Sequence, residues 1–400
     1  MRSFLTPALI VCALGYFVDA FDIVIFSIVR VSSLTELGYS GDALVREGIF
    51  LLNMQLAGML AGGMLWGCIG DRKGRSSALI FSILCYALAT IANGFVQTVD
   101  QYAICRFISG VGLAGELGAA VTLITEGLPK DRRGMGALVI TFLGNAGALC
   151  AAIFGGLLHW RYLYFLGGGM GLVLLVARSS LRDSQLFLES KAIQISRGNV
   201  LALFSNPRML KQFLTCFLIG IPHYLCFGVL LTLSPEIAKE MGVSVPVSVS
   251  MLLMLYAGFL GFGDVCATLL SQKMKSRRKA VTIFSCVTSL LLVVLYLMPQ
   301  PTAFMYYTMF GFLGFFAGYV MLVPVIAAET FGINLRVSAT SMTTNCVRGS
   351  AIVMNLGVAQ LRHLGIVNAT AIVAAGVMLL TFWAVYNLRE TFHEDMEFFD

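Results

Sequence analysis

Apolar runs of about 20 residues recur along the whole of this chain, and that pattern leaves few folds open to it. A helix crosses the hydrocarbon core of a bilayer in about 20 residues. In lipid, every backbone N–H and C=O must find its partner within the protein, which a helix does by itself. The runs fall at 5–30, 45–69, 76–97, 101–126, 135–158, 162–181, 210–235, 247–271, 280–298, 302–328, 338–361 and 366–388. They predict an all-α membrane protein with twelve transmembrane helices. Connections are short except for one polar, basic stretch at 182–209, which separates two sets of six spans, 1–181 and 210–400. Composition agrees, since 58% of the 400 residues are hydrophobic and only 12% are charged. A soluble domain usually carries about 25% charged residues. A soluble enzyme, a nucleic-acid binder and a disordered scaffold are therefore excluded. The first run is too long for a signal-peptide core and lacks a small-residue cleavage site, so it is read as a span.

The net charge of +6 comes from 27 basic residues, and their placement predicts orientation. Cytoplasmic loops are enriched in Lys and Arg. With the N-terminus inside, 20 of the 27 fall on the inner side, among them Arg72, Lys73 and Arg75, Lys130, Arg132 and Arg133, Arg178 with the 182–209 stretch, and Lys273 to Lys279. Five fall outside (Arg30, Arg46, Arg161, Lys239 and Arg362), and Arg106 and Arg348 lie within spans. Both termini are thus expected in the cytoplasm, in a multi-pass protein of a cell membrane, a bacterial inner membrane, acting as a monomer. The ten cysteines show no metal-type spacing and are read as small core residues. No nucleophile–base pair or metal cluster appears, so neither an enzyme nor a cofactor is expected.

The two sets of spans repeat weakly. Glu126 and Arg133 follow span four, and Glu329 and Arg336 follow span ten, 203 residues later. Gly67, Asp71, Arg72, Gly74 and Arg75 close span two, and Lys273, Arg277, Arg278 and Lys279 form a degraded counterpart after span eight. Parallel repeats of six spans are a transporter feature.

On these residues the chain resembles the major facilitator superfamily over essentially its whole length. Gly67-x-x-x-Asp71-Arg72-x-Gly74-Arg75 matches the family motif between helices two and three, with Ser76 in place of the last basic residue. The resemblance implies that Asp71 bonds the start of helix eleven and latches the cytoplasmic side. It also implies that Arg72, Arg75, Glu126, Arg133, Glu329 and Arg336 belong to the cytoplasmic gate. Asp19-Ala-Phe-Asp22 in helix one resembles a motif of aromatic-acid/proton symporters, with Ala20 in place of Gly. Arg106-Phe-Ile-Ser-Gly110-Val-Gly112-Leu-Ala-Gly115-Glu116 in helix four is similar to those symporters, to niacin-type carriers and to organic ion transporters. The glycines also fit a dinucleotide fingerprint, but they lie inside an apolar helix and follow no strand. Close helix packing is the better reading.

Asp19, Asp22, Arg106, Glu116 and Arg348 lie well inside spans. Each costs about 2.5–3.5 kcal/mol at mid-membrane unless it pairs or meets water, and such residues mark function by default. Asp19 and Asp22, three apart, share a helix face. Asp22 and Arg106 match the positions at which, in sugar/proton symporters of the superfamily, an Asp of helix one pairs with an Arg of helix four. By that resemblance Asp22 is expected to carry the proton with Arg106 as its partner, a setting in which burial and a neighbouring cation act in opposite directions and make a switchable site. A permanent structural pair is the competing reading. Glu116 is read as either a second proton site or a substrate contact, and Asp19 as either. By the resemblance, Arg348 faces the central cavity and binds an anionic group, for which its two parallel donors suit a carboxylate. The alternative is that it pairs with Asp19 or Glu116. His223, Tyr224, Tyr256, Asn145 and Asn345 are further candidates for the substrate site. Pro222 and Pro324 are expected to kink their helices.

Together these residues predict a proton-coupled symporter that imports a small organic anion by alternating access, with the proton as coupling ion and the bilayer as its surroundings. A proton-driven exporter is the alternative. The missing proline in helix five (Gly144-Asn-Ala-Gly147) disfavours it, because the exporter branch usually has a Gly-Pro-rich motif there. A receptor that has lost transport is the reading from another class.

Overall fold

The computed structural model describes residues 7–129, 132–155, 157–178, 202–243, 247–392 and 394. The basic stretch 182–201, Arg2, Lys130 and the tail from 395 lie outside the described residues. Among the described residues there is no strand. The long helices are α1 (Pro7–Glu36), α2 (Gly41–Lys73), α3 (Arg75–Asn93), α4 (Val99–Gly127), α5 (Arg133–Gly155), α6 (Trp160–Arg178), α7 (Pro207–Leu230), α8 (Val249–Met274), α9 (Arg277–Leu297), α10 (Ala303–Thr330), α11 (Arg336–Leu361) and α12 (Ile366–Asn387). Apart from α11, all are long and apolar enough to cross a membrane. α11 has the length, at 26 residues, but not the apolarity. Ser338, Thr340, Ser341, Thr343 and Asn345 are all buried, so its polar groups face protein and the helix does not need a lipid-compatible sequence. The outer faces show the converse, with Leu297 at 75% and Phe304 at 79% exposure, as helices in lipid require.

Local sequence signals set several helix starts. Thr98, Asn206, Ser248, Ser276 and Thr302 each accept a backbone N–H of their own first turn, the usual N-cap contact. Three helices are irregular in their interiors. α4 is interrupted at Ala114–Gly115 between Val99–Leu113 and Glu116–Gly127. α7 passes into a π-helical turn at Leu225–Leu230, just after Pro222. Proline removes the N–H that would bond the Leu218 carbonyl, and the Thr381 hydroxyl donates to that carbonyl instead, at 3.2 Å. α10 narrows to a 3₁₀ turn at Gly318–Met321, just before Pro324.

The helices cluster into two compact units, one of 1–204 with 331–345 and the other of 205–330 with 346–394. In the first, glycines let helices meet backbone to backbone. A Cβ at Gly58 would strike the Phe107 carbonyl, and one at Gly110 would strike the Gln55 carbonyl. These contacts clamp α2 to α4. In the second unit, Tyr256, Leu260, Phe310 and Leu313 on α8 and α10 pack with Leu225, Cys226 and Val229 of the π turn. All ten cysteines are free thiols; Cys266 and Cys286 are exposed rather than in the core, which corrects the reading of all ten as core residues. Both lie on outer helix faces, which in lipid are as apolar as the core.

Candidate functional site

In the first unit five of the buried charges lie on α1, α4 and α6. Asp19, Asp22, Arg106, Glu116 and Arg178 are each fully buried. Asp22 Oδ2 accepts the Thr90 hydroxyl of α3 at 2.8 Å. Arg106 Nη2 donates to Gln55 Oε1 of α2, and its guanidinium lies 4.6 Å over the Phe26 ring of α1. No ion pair within 4.0 Å joins Asp22 and Arg106 among the described residues. The direct pair expected from the sequence is not made here; each charge is instead bonded to a neutral side chain, a hydroxyl on Asp22 and an amide on Arg106. Arg106 still acts on Asp22 through its charge at longer range.

Glu116 is placed differently from both readings given to it. Each of its oxygens accepts from a different Arg178 nitrogen, Nη1 and Nη2, in a bidentate pair. Both oxygens are thus engaged by one buried cation. Glu116 opens the second half of α4, directly after the Gly115 break, and Gly15 of α1 has no side chain where a Cβ would meet this pair. Arg178 is also relocated. It was grouped with the inner loop charges, but it closes α6 as a fully buried residue. The signal was in the sequence, since Arg178 falls inside the expected span 162–181, and a buried Glu116 needs a cation. Nothing in the sequence singles out Thr90, because a threonine in an apolar helix is ordinary.

In the second unit His223 is the centre of a group of rings on α7 and α8. Its Nδ1 lies 3.2 Å from the Tyr256 hydroxyl. Phe227 stacks on it at 5.9 Å and 6°, and Tyr224 meets it edge-on at 5.0 Å. Arg348 of α11 is buried, and its charge acts on His223. A buried cation whose charge reaches a group of aromatic rings can hold a carboxylate and the flat group that carries it. The π turn that follows is a kind of helix defect often found at functional sites. Asn345 is engaged elsewhere: its Nδ2 donates to Ala114 O at 2.9 Å and Ser341 O at 2.8 Å. Asn145 is half-buried on α5.

The remaining candidates form two ion clusters. In the first unit the Asp71 carboxylate accepts Val337 N at 3.0 Å and Ser338 N at 2.9 Å. Arg75 Nη2 lies 2.8 Å and Arg336 Nη1 2.9 Å from Glu126 Oε1, and Arg75 also donates to the Ile333 and Gly70 carbonyls. Arg72 is exposed beside them, and Arg133 is buried at the start of α5. In the second unit Arg277 Nη2 lies 3.1 Å from Glu329 Oε1, and the Thr391 hydroxyl donates to Glu329 Oε2 at 2.7 Å. Arg75 with Glu126 and Arg277 with Glu329 are thus the same contact in the two repeats. Residues 12–355 match the Major Facilitator Superfamily.

The chain belongs to that superfamily.

It is accordingly a multi-pass membrane transporter and not an enzyme. It is 25% identical over 395 residues to a protein of Cupriavidus pinatubonensis named "Probable 4-methylmuconolactone transporter", covering 92% of this chain and 89% of that one. It is 29% identical over 188 residues to the benzoate transport protein of Acinetobacter baylyi, covering 44% of this chain and 39% of that one. Among solved structures, the proton:xylose symporter XylE has the same fold, with a TM-score of 0.76 at 18% identity over 98% of this chain and 97% of that one.

Proposed function

We propose that this transporter imports a small organic anion together with protons by alternating access, moving 1–181 against 210–400 about a site near the bilayer midplane. The observation that carries the reading is Asp22, a fully buried carboxylate held by a neutral hydroxyl rather than clamped to a cation. A carboxylate in that setting can gain and lose a proton during a cycle. The substrate's anionic group binds Arg348, with the rings of His223, Tyr224 and Tyr256 against its body. The names of the relatives, a lactone transporter and a benzoate transporter, favour a cyclic or aromatic acid.

In the cycle, protonation of Asp22 from outside neutralises one buried charge and the substrate's carboxylate neutralises another at Arg348. The loaded carrier can then reorient without moving a bare charge through lipid. Asp71 and the Glu126, Arg75 and Arg336 cluster, with Glu329, serve as the cytoplasmic gate. Both termini lie in the cytoplasm, and the chain works as a monomer. One proton per monoanion makes the cycle electroneutral, driven by about 1.4 kcal/mol per pH unit. A second proton would add about 2.3 kcal/mol per 100 mV, with Asp19 the remaining candidate.

A thermal-shift screen of organic acids on wild type and Arg348→Ala tests the substrate half of this reading. Acids that stabilise wild type and leave the variant unchanged support it. Equal stabilisation of both proteins by the same acids contradicts it.

A further inference from the structure

Asp22 and Arg106 are opposite charges buried in one unit, yet each bonds a neutral side chain. Fully buried charges left without a close counter-ion are costly, so the neutral residue bonded to each of them holds a position with consequences. Thr90 and Gln55 hold those positions. Thr90 Oγ1 donates to Asp22 Oδ2 at 2.8 Å, and Gln55 Oε1 accepts from Arg106 Nη2. Asp22 Oδ1, Arg106 Nε, Arg106 Nη1 and Gln55 Nε2 are buried with no protein hydrogen-bond partner. Spare bonding capacity is therefore present on both charges and on the amide between α2 and α4.

Resting on the proton-coupled reading above, we propose that Thr90 and Gln55 are the positioning residues of the proton site. Thr90 holds the Asp22 carboxyl in both of its protonation states, and Gln55 holds Arg106 off it. A hydroxyl both donates and accepts. Thr90 can donate to the Asp22 carboxylate and, after protonation, accept the new Asp22 O–H by rotating its own hydrogen. Among the described residues, no other side chain is hydrogen-bonded to Asp22. Gln55 is fixed by the glycine contact, because Gly110 lies against the Gln55 carbonyl and brings its helix onto α4 one turn from Arg106. A neutral amide at that place satisfies one guanidinium nitrogen and leaves the cation free to move to Asp22 when the site changes state.

The other groups facing Asp22 from its surroundings do not duplicate this. Tyr86 of α3, Tyr102 of α4 and Tyr164 of α6 feel its charge. Tyr102 and Tyr164 bond each other through their hydroxyls. Asp19 lies one turn away on α1 itself. Glu116 of α4 and Arg178 of α6 are closed on one another, and the one charged residue of α5, Arg133, is in its first turn. Besides Arg106, none of these supplies a cation able to reach Asp22 without breaking a pair.

Infrared difference spectroscopy of the full-length protein in lipid nanodiscs, titrated with acid and without ligand, tests the proposal. The protonated-carboxyl band lost in Asp22→Asn identifies Asp22. Thr90→Val removes a bond that is stronger to the charged carboxylate than to the neutral carboxyl, so that band develops at a pH higher by about one unit. Thr90→Ser restores the wild-type midpoint. Gln55→Leu frees Arg106 to approach the carboxylate, so the midpoint falls. Opposite shifts from two apolar replacements are not what a loss of packing produces. Midpoints equal to wild type in both variants, or shifted in the same direction, overturn the roles of Thr90 and Gln55 while leaving Asp22 as the proton carrier. If Asp22→Asn removes no band, the proton-coupled reading fails and this inference fails with it. Gln55→Leu alone decides the sign should Thr90→Val not fold.

Discussion

Asp71 caps α11 at Ser338, its carboxylate accepting the Ser338 N–H at 2.9 Å and the neighbouring Val337 N–H at 3.0 Å. These two donors belong to the first turn of a helix, where backbone N–H groups have no partner of their own and a negative charge is favoured by the helix dipole. Asp71→Ala leaves both donors bare and removes a charge from beside Arg75, 3.8 Å away. A loss of about 1–2 kcal/mol is expected, read as a lower melting temperature in detergent. If the contact is also the proposed gate, uptake falls further than stability does, and Asp71→Asn, which keeps an acceptor, retains more of both.

The buried pair of Glu116 and Arg178 predicts an asymmetry between single and double variants. Glu116→Gln leaves a fully buried Arg178 without its counter-ion, and Arg178→Met does the reverse. Each is expected to cost about 3–5 kcal/mol. Replacing both, as Glu116→Leu with Arg178→Met, costs less than either alone, because no stranded charge remains. Thermal unfolding of the three variants in one detergent measures this directly. A double variant less stable than both singles contradicts the pair as drawn.

The packing of α2 on α4 makes Gly110 a sensitive position. A side chain there meets the Gln55 carbonyl, which belongs to backbone and cannot turn aside. Gly110→Val is expected to destabilise by about 1–3 kcal/mol or more and to displace Gln55 from Arg106. Gly169, where a Cβ would meet nothing within 4 Å, is the control, and Gly169→Ala is expected to behave as wild type in melting and in uptake.

Much of this architecture was legible in the sequence, because the bilayer imposes a length and a polarity on each span. The limits of α3, expected at 76–97 and found at Arg75–Asn93, show how closely an apolar run reports a helix. α11, expected as an apolar run at 338–361, is the long helix whose sequence is least apolar, since its serines and threonines are buried against protein. The site was less legible. Asp22, Arg106, Glu116 and Arg348 stand out because charge inside a span is rare, but their partners are fixed by helix contacts far apart in the chain. Arg178 sits at a helix end where an inner-side charge is ordinary, and only its burial against Glu116 sets it apart. Gln55 is legible only as a polar residue in a span that could line a cavity, and Thr90, uncharged and ordinary in an apolar helix, carries no signal.

Glu390 gives a pH dependence outside the membrane-spanning segments. Its partial burial works against the charged form, but hydrogen bonds from the Ser276 hydroxyl, Arg277 N at 2.8 Å and Phe392 N at 3.0 Å outweigh that and hold it below the ordinary carboxylate range. A carboxyl lowered in the folded state adds stability above its unfolded value of 4.5, and this is lost as pH falls through the lower folded value. Wild type is therefore expected to lose part of its thermal stability as pH drops below about 4.5, and Glu390→Gln, already without the charge, to lose less over the same range. Melting curves of the two proteins from pH 6 to pH 3 check the difference.

Transport by Asp22→Asn in proteoliposomes is the most direct test of the central claim. With an acid that stabilises the purified protein, and with the outside made more acidic than the lumen, wild type is expected to concentrate the acid and to take up protons with it. Asp22→Asn is expected to exchange labelled acid across the membrane at equal concentrations but not to accumulate it or move protons. Accumulation by Asp22→Asn to the level of wild type under the same gradient would contradict the account.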